Sequence, residues 1–260
     1  MRAEERSVSA ENIVNHPRLV FVIAFVVIWL AGWIGAKLSM RLHGMKEDIR
    51  TDFGVVLGAV LTLLGLIIGF SFSMAVSRYD LRKNYEEAEA NAIGTEYVRA
   101  DLLPEPNASQ VRVLLKQYTD LRIQFYEVRD EDELRRIDAD TARVQGELWT
   151  AASRSAMGQP NPVAALAVAG MNDVLNSQGY TQAAWWNRIP GAAWMLMFAI
   201  AVFCNAMLGY EAKRFEPRLF TVLPLVIAVS FFLIADIDSP RRGMIRVHAQ
   251  NMESLRTGLK

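Results

Sequence analysis

Four apolar runs dominate the chain, at about 19–38, 54–76, 191–210 and 219–235. Each approaches the ~20 residues that a helix needs to cross a bilayer. The fourth is the shortest and contains Pro224, which predicts a kinked or tilted span. Consecutive β-branched and aromatic residues argue against buried soluble helices. The leader to Pro17 is polar and mixed in charge, and no small-x-small cleavage site is easily placed. The first run therefore reads as an uncleaved span. The loop from Ser39 to Asp52 carries both signs of charge and has room for an interfacial helix turn.

Between the second and third runs lies a polar region, about 77–189, patterned as helix almost throughout. Span two has no proline and continues as a polar helix to about Leu103, where Pro104 and Pro106 end it. Asn107 or Ser109 is placed to cap the next helix. There Leu114, Tyr118, Leu121, Phe125 and Val128 share one face. From about Asp132 to Ser155, Leu134, Ile137, Thr141, Val144 and Leu148 repeat the device, which predicts an antiparallel bundle. Gly158 to Pro160 breaks the chain. Asn161-Pro162 then supplies a cap and a first-turn proline for a helix through about Gln178. Trp185, Trp186 and Arg188 mark a return to the membrane interface. A turn from Glu211 to Pro217 joins spans three and four. A C-terminal amphipathic helix is expected with Ile245, Met252 and Leu255 on one face.

The fold expected is all-α: a polytopic membrane protein with four transmembrane helices and a helical bundle inserted between spans two and three. Its segments are 1–76, a polar helical region 77–189, spans three and four at 190–238, and a tail at 239–260. Four spans put both termini and the polar region on one side. Lys and Arg flank the membrane on both sides, and the termini and polar region are assigned to the cytoplasm.

Span two has a second pattern. Gly54, Gly58, Thr62, Gly65, Gly69 and Ser73 fall on one helical face. Past Val76 that face turns polar, with Ser77, Asp80, Asn84, Glu87 and Asn91. A small-residue stripe packs one helix against another, or leaves room around a pore axis. Phe70 and Phe72 flank its cytoplasmic end and are candidates for a hydrophobic constriction, against the simpler reading that they face lipid. Arg78 and Asp80 follow directly. At the foot of span four, Asp236 and Asp238 lie at a membrane edge, where a carboxylate needs pairing or water. Arg241 and Arg242, or Arg78 and Arg82, are the candidate partners. An ion-pair cluster is weighed there against an ion-binding ring at a pore mouth.

Composition narrows the function classes. The chain is 52% hydrophobic, and 28 Lys+Arg balance 28 Asp+Glu, so no basic field points to nucleic acid. Cys204 is the single cysteine and lies in an apolar run, so no intrachain disulfide forms. His16, His43 and His248 are dispersed, and no Cys/His spacing suggests a metal. Glu86, Glu87 and Glu89 form an acidic run that reads as a solvated helix face. No nucleophile elbow, P-loop or dinucleotide motif occurs, and no cofactor is called for. An enzyme using Asp236 and Asp238 as acid and base is disfavoured, because the adjacent arginines would keep both ionised.

Three stretches resemble the bestrophin-like family of four-span membrane proteins. They are Gly65 to Ser73 running on to Arg78-Tyr79-Asp80, then Glu89 to Thr95 with Arg99 to Pro104, and Asp236 to Gly243. In step with bacterial bestrophins stand Gly69-Phe70, Ala75, Arg78 and Tyr79; Asp80 and Ser71-Phe72-Ser73 depart from that frame. The resemblance implies a pore along span two, a homo-oligomer that is a pentamer in true bestrophins, and a bacterial inner membrane. It implies neither anion selectivity nor calcium binding here. The leading reading is an ion channel lined by Gly58, Thr62, Gly65, Gly69 and Ser73, with lipid and inorganic ions as partners. The alternative is a membrane-anchored interaction protein whose helical middle region binds a partner. Asp236, Asp238 and Arg241, with Arg78, Asp80 and Asn84, are the candidate mouth residues.

Overall fold

The computed structural model describes residues 14–41, 47–158, 161–212 and 216–259. The polar leader before residue 14, the centre of the first loop and the tip of the turn before Pro217 lie outside them. Among the described residues the secondary structure is wholly helical. In chain order the helices are α1 (Pro17–Arg41), α2 (Glu47–Arg99), α3 (Asn107–Glu127), α4 (Glu131–Gly158), α5 (Pro162–Trp186), α6 (Gly191–Glu211), α7 (Pro217–Asp238) and α8 (Gln250–Gly258). A 3-10 turn, Ala100–Leu102, follows α2. Four stretches are long and apolar enough to cross a membrane, within α1, α2, α7 and the Pro162–Glu211 stretch that includes α6.

The chain divides into two compact units. One is Met1–Ser77 with Arg188–Ile245, and the other is Arg78–Asn187 with Arg246–Lys260. The first contains the membrane-crossing helices. There α1 packs against α6 and α7, and α6 against α7. The α1–α6 seam is built from small residues. A methyl added at Gly35 would overlap the Ala206 carbonyl oxygen and lie 3.0 Å from the Tyr210 amide nitrogen. One added at Gly209 would overlap the Gly32 carbonyl and lie 3.0 Å from the Ala36 nitrogen. Backbones this close are what small residues permit between membrane helices. The apolar half of α2 joins this unit through buried Leu57, Leu64, Ser71 and Ala75, spaced by seven, seven and four residues. Arg50 donates to the Glu211 carbonyl, and the Phe53 and Tyr210 rings meet with centroids 6.3 Å apart. Pro224 is buried within α7, which runs unbroken for 22 residues and is longer than its apolar run suggested.

In the second unit α3 packs against α4 and α8, and α4 against α5. The predicted stripes are its core: Leu114, Tyr118 and Phe125 on α3, Val128 just past its end, and Ile137, Val144 and Leu148 on α4 are all buried. Four local expectations are corrected. The first turn of α3 is capped by neither Asn107 nor Ser109; the Glu105 carboxylate accepts from the Ser109 amide at 3.2 Å. Helix α5 runs to Trp186 rather than Gln178. Trp185 is not an interfacial anchor, since it packs inside against Phe125 and Tyr126 at 5.0 and 5.6 Å between centroids. Ile245 precedes α8, where Met252 is the buried residue and Leu255 is half-buried. The Asn161 cap is present, its side chain accepting from the Ala164 amide at 2.7 Å.

Candidate functional site

Helix α2 is continuous for 53 residues from Glu47 to Arg99. Past Gly54, its stripe does not pack on any of the described residues. A side chain added at Gly58, Gly65 or Gly69 would meet nothing within 4 Å, and Thr62 and Ser73 are exposed. Thr62 donates its hydroxyl to the Gly58 carbonyl at 2.8 Å, so its polar atom is satisfied within the helix. Only Gly54 has a near neighbour, Glu211 Oε1, at 3.7 Å. The apolar window of this span is 11% buried, against 39% for α1 and 50% for α7, so α2 is the span its own chain covers least. Phe70 and Phe72 are both exposed. At ~100° per residue, Phe72 lies about 50° from the mean direction of the stripe and Phe70 about 110° from it.

On the polar half of α2, Ser77, Asp80, Asn84, Glu87 and Asn91 are all exposed, while Arg78 is half-buried. The acidic run divides. Glu87 is solvated as expected, but Glu86 and Glu89 are buried, at 1% and 0% exposure. A buried carboxylate requires donors, and both have them. Glu86 accepts from the Asn251 and Met252 amides at 2.9 and 3.0 Å and from Asn251 Nδ2 at 2.6 Å, which closes the open N-terminus of α8. Glu89 accepts from Arg122 Nε at 2.5 Å, Thr181 Oγ1 at 2.9 Å and the Tyr126 hydroxyl at 3.2 Å. Burial, and next to it the charge of Glu89, push the Tyr126 phenol above its ordinary range, so it stays a donor. Arg82, also buried, donates from Nε to the Ala184 carbonyl at 3.3 Å, where α5 ends and its last carbonyls lack helical partners. The spacing of these residues from Arg82 through Glu86 and Glu89 to Ile93 was the available signal. It marks one helix face, opposite Asp80 and Asn84.

In the first unit Asp236 and Asp238 are both buried. Asp236 accepts from the Met244 and Ile245 amides at 2.8 and 2.9 Å. Asp238 accepts from the Ile189 amide at 3.1 Å. These carboxylates therefore bind backbone at the ends of the segments that enter α6 and leave α7. Arg241 is half-buried in the following turn, and Arg242 Nη1 lies 2.6 Å from His16 Nε2. That turn depends on Gly243, where a methyl would overlap the Asp236 carbonyl and sit 2.8 Å from the Ser239 carbonyl oxygen. Gly243→Ala is expected to destabilise the protein by about 1–3 kcal/mol, as overpacking does. Thermal unfolding in detergent reads this, and an unchanged melting temperature would contradict the close approach.

A chain whose described residues are helical and which has four helices long and apolar enough to cross a bilayer is a polytopic membrane protein, and its second span meets no other described residue at Gly58, Gly65 and Gly69. Residues 21–252 match the bestrophin-like domain, and the chain belongs to the bestrophin-like family. No curated protein matches the sequence. The fold is that of a bacterial bestrophin homologue from Klebsiella pneumoniae, with a TM-score of 0.63 at 13% identity over 92% of this chain and 96% of that one. A point variant of that homologue gives 0.62 at 13% identity over 92% of this chain and 97% of that one. A further membrane-protein variant gives 0.65 at 13% identity over the same shares of each chain.

Proposed function

We propose that this protein is an oligomeric ion channel of the bacterial inner membrane, with the small-residue face of α2 along the conduction path. The family and the helical membrane architecture support a channel-type protein. The observation that carries the pore assignment is the open space over Gly58, Gly65 and Gly69. Small residues are used for packing between α1 and α6, where they are tightly engaged, whereas on α2 they face away from the chain. In an assembly with one α2 per subunit around an axis, a face without side chains leaves room for water and ions. A pentamer is the number that the family's true bestrophins suggest.

In this reading Gly58, Thr62, Gly65, Gly69 and Ser73 line the path. Phe72, nearer the stripe than Phe70, narrows it by a hydrophobic ring. Asp80 and Asn84, exposed on the same face, set the field at its cytoplasmic end. Asp236 and Asp238 keep the loops around α6 and α7 in place rather than facing ions. The termini and the polar helical unit are cytoplasmic.

Current across a planar bilayer containing the purified protein under a KCl gradient tests this. Discrete conductance steps are expected, and the sign of the reversal potential reads the permeant ion. Silence from a monodisperse sample across pH would remove the channel reading.

One observation favours a partner-binding role instead. An open groove of about 560 Å³ between α4 and α5 is lined by Trp149, Ala165, Val168 and Ala169, with Asn161 and Asn172. Thiol labelling of Asp80→Cys, Asn84→Cys and Asn91→Cys in the assembled protein separates the two. Labelling by a water-soluble reagent that blocks current supports the pore. Labelling without any effect on current supports the interaction protein.

A further inference from the structure

Glu96 lies on the polar half of α2, three residues before its end. Its side chain is wholly buried, and neither carboxyl oxygen has a hydrogen-bond partner among the described residues. In this it differs from Glu86 and Glu89 on the same helix, whose oxygens are occupied. The space that holds it exists because α5 has a glycine there. A methyl at Gly170 would overlap Glu96 Oε2 and Arg99 Nη1 and lie 3.0 Å from Arg99 Cδ. Helix α5 therefore closes directly on this carboxyl group. The charged groups acting on it are Arg99, from α2, and Asp173, three residues past Gly170 on α5.

We propose that Glu96 is a proton-operated latch between α2 and α5: the neutral acid lets Gly170 close on α2, and the carboxylate forces that contact open. A buried carboxylate whose oxygens accept no hydrogen bond is unfavourable, and parting the helices relieves it by admitting water. Burial pushes the Glu96 pKa up to about 8; Arg99 opposes the rise and Asp173 adds to it. The proton is thus held more firmly in the folded chain than in the unfolded one, where the ordinary value of 4.5 applies. The latch contributes its full stability below that ordinary value. The contribution is lost as pH rises to about 8 and stays lost above it. The device concerns the polar half of α2 and stands whether or not the apolar half lines a pore.

Amide exchange of the full-length protein in detergent, expressed as protection factors to remove the intrinsic pH dependence, tests this over about pH 5 to 9. Protection around Gly170 is expected to fall with a midpoint near 8. The melting temperature is expected to decline between the ordinary carboxyl value and that midpoint. Glu96→Gln, which cannot ionise, is expected to keep its protection throughout. Should that variant fail to fold, Asp173→Asn at an exposed position serves in its place, and its midpoint is expected at lower pH. Constant protection in the unmodified protein, the same loss in Glu96→Gln, or an unmoved midpoint in Asp173→Asn would each overturn the proposal.

Discussion

Gly35→Leu is expected to leave no stably folded protein, whereas Gly69→Leu is expected to fold, assemble and conduct nothing. The two substitutions are chemically identical and both lie in spans. At Gly35 the first added carbon already overlaps the Ala206 carbonyl oxygen and lies 2.9 Å from the carbonyl carbon. Backbone cannot rotate away as a flexible side chain can, so α1 and α6 must separate. The cost reaches about 3 kcal/mol or more, at the upper end of overpacking. The lost contact is also the seam that brings α1 and α6 together. At Gly69 the same carbon meets nothing among the described residues. In the proposed channel, a ring of leucines around the axis would close a narrow path. Detergent size-exclusion with thermal unfolding reads the first outcome, and ion flux from liposomes reads the second. Unchanged flux in Gly69→Leu would sink the pore assignment. A well-folded Gly35→Leu would mean that the α1–α6 approach is looser than described.

Glu89→Ala is expected to cost about 3–5 kcal/mol, the usual penalty for stranding one partner of a buried ion pair. That is a large part of the ~5–15 kcal/mol that stabilises a typical domain. Arg122 is 0% exposed and its Nη1 already lacks a partner, so nothing nearby can take over from the carboxylate. The Tyr126 and Thr181 hydroxyls lose their shared acceptor in the same substitution. The pair itself is not indispensable, because well-packed apolar residues of similar volume replace buried ion pairs at little cost. Glu89→Met combined with Arg122→Met is therefore expected to recover most of the lost stability. Chemical denaturation of the unmodified protein and the two variants, followed by tryptophan fluorescence to which buried Trp185 contributes, measures this. A double variant no better than Glu89→Ala would show that the loss comes from packing rather than from the stranded charge.

The long apolar runs were legible because crossing a bilayer leaves a one-dimensional record: nearly every residue must be apolar, whichever neighbour it meets. The stripes of α3 and α4 were legible for the related reason that a helix buries one face in a fixed period. Their limit is visible at Arg122, which lies on a face buried by a third neighbour. Charge in a sequence reads as solvent, and only the arrival of Glu89, Tyr126 and Thr181 around it makes burial tolerable. Glu86 and Glu89 were misjudged for the same reason, and Trp185 in reverse: an indole between two segments looks interfacial until α5 is found to continue past it.

From the sequence alone came the helical class, the four crossings, the unbroken passage of α2 from apolar to polar, and the stripe along it. These rest on local composition and period, which need no partner to be read. Tertiary structure decided which glycines are engaged. The seam is between α1 and α6, through Gly32, Gly35 and Gly209, while Gly58, Gly65 and Gly69 of α2 meet no other described residue. It also decided that Asp236 and Asp238 bind backbone amides, and that Glu96 is shut against Gly170 without a donor. A small residue or a carboxylate has the same name whether it touches a neighbour or faces empty space, and distance between separate parts of the chain is what tells these apart.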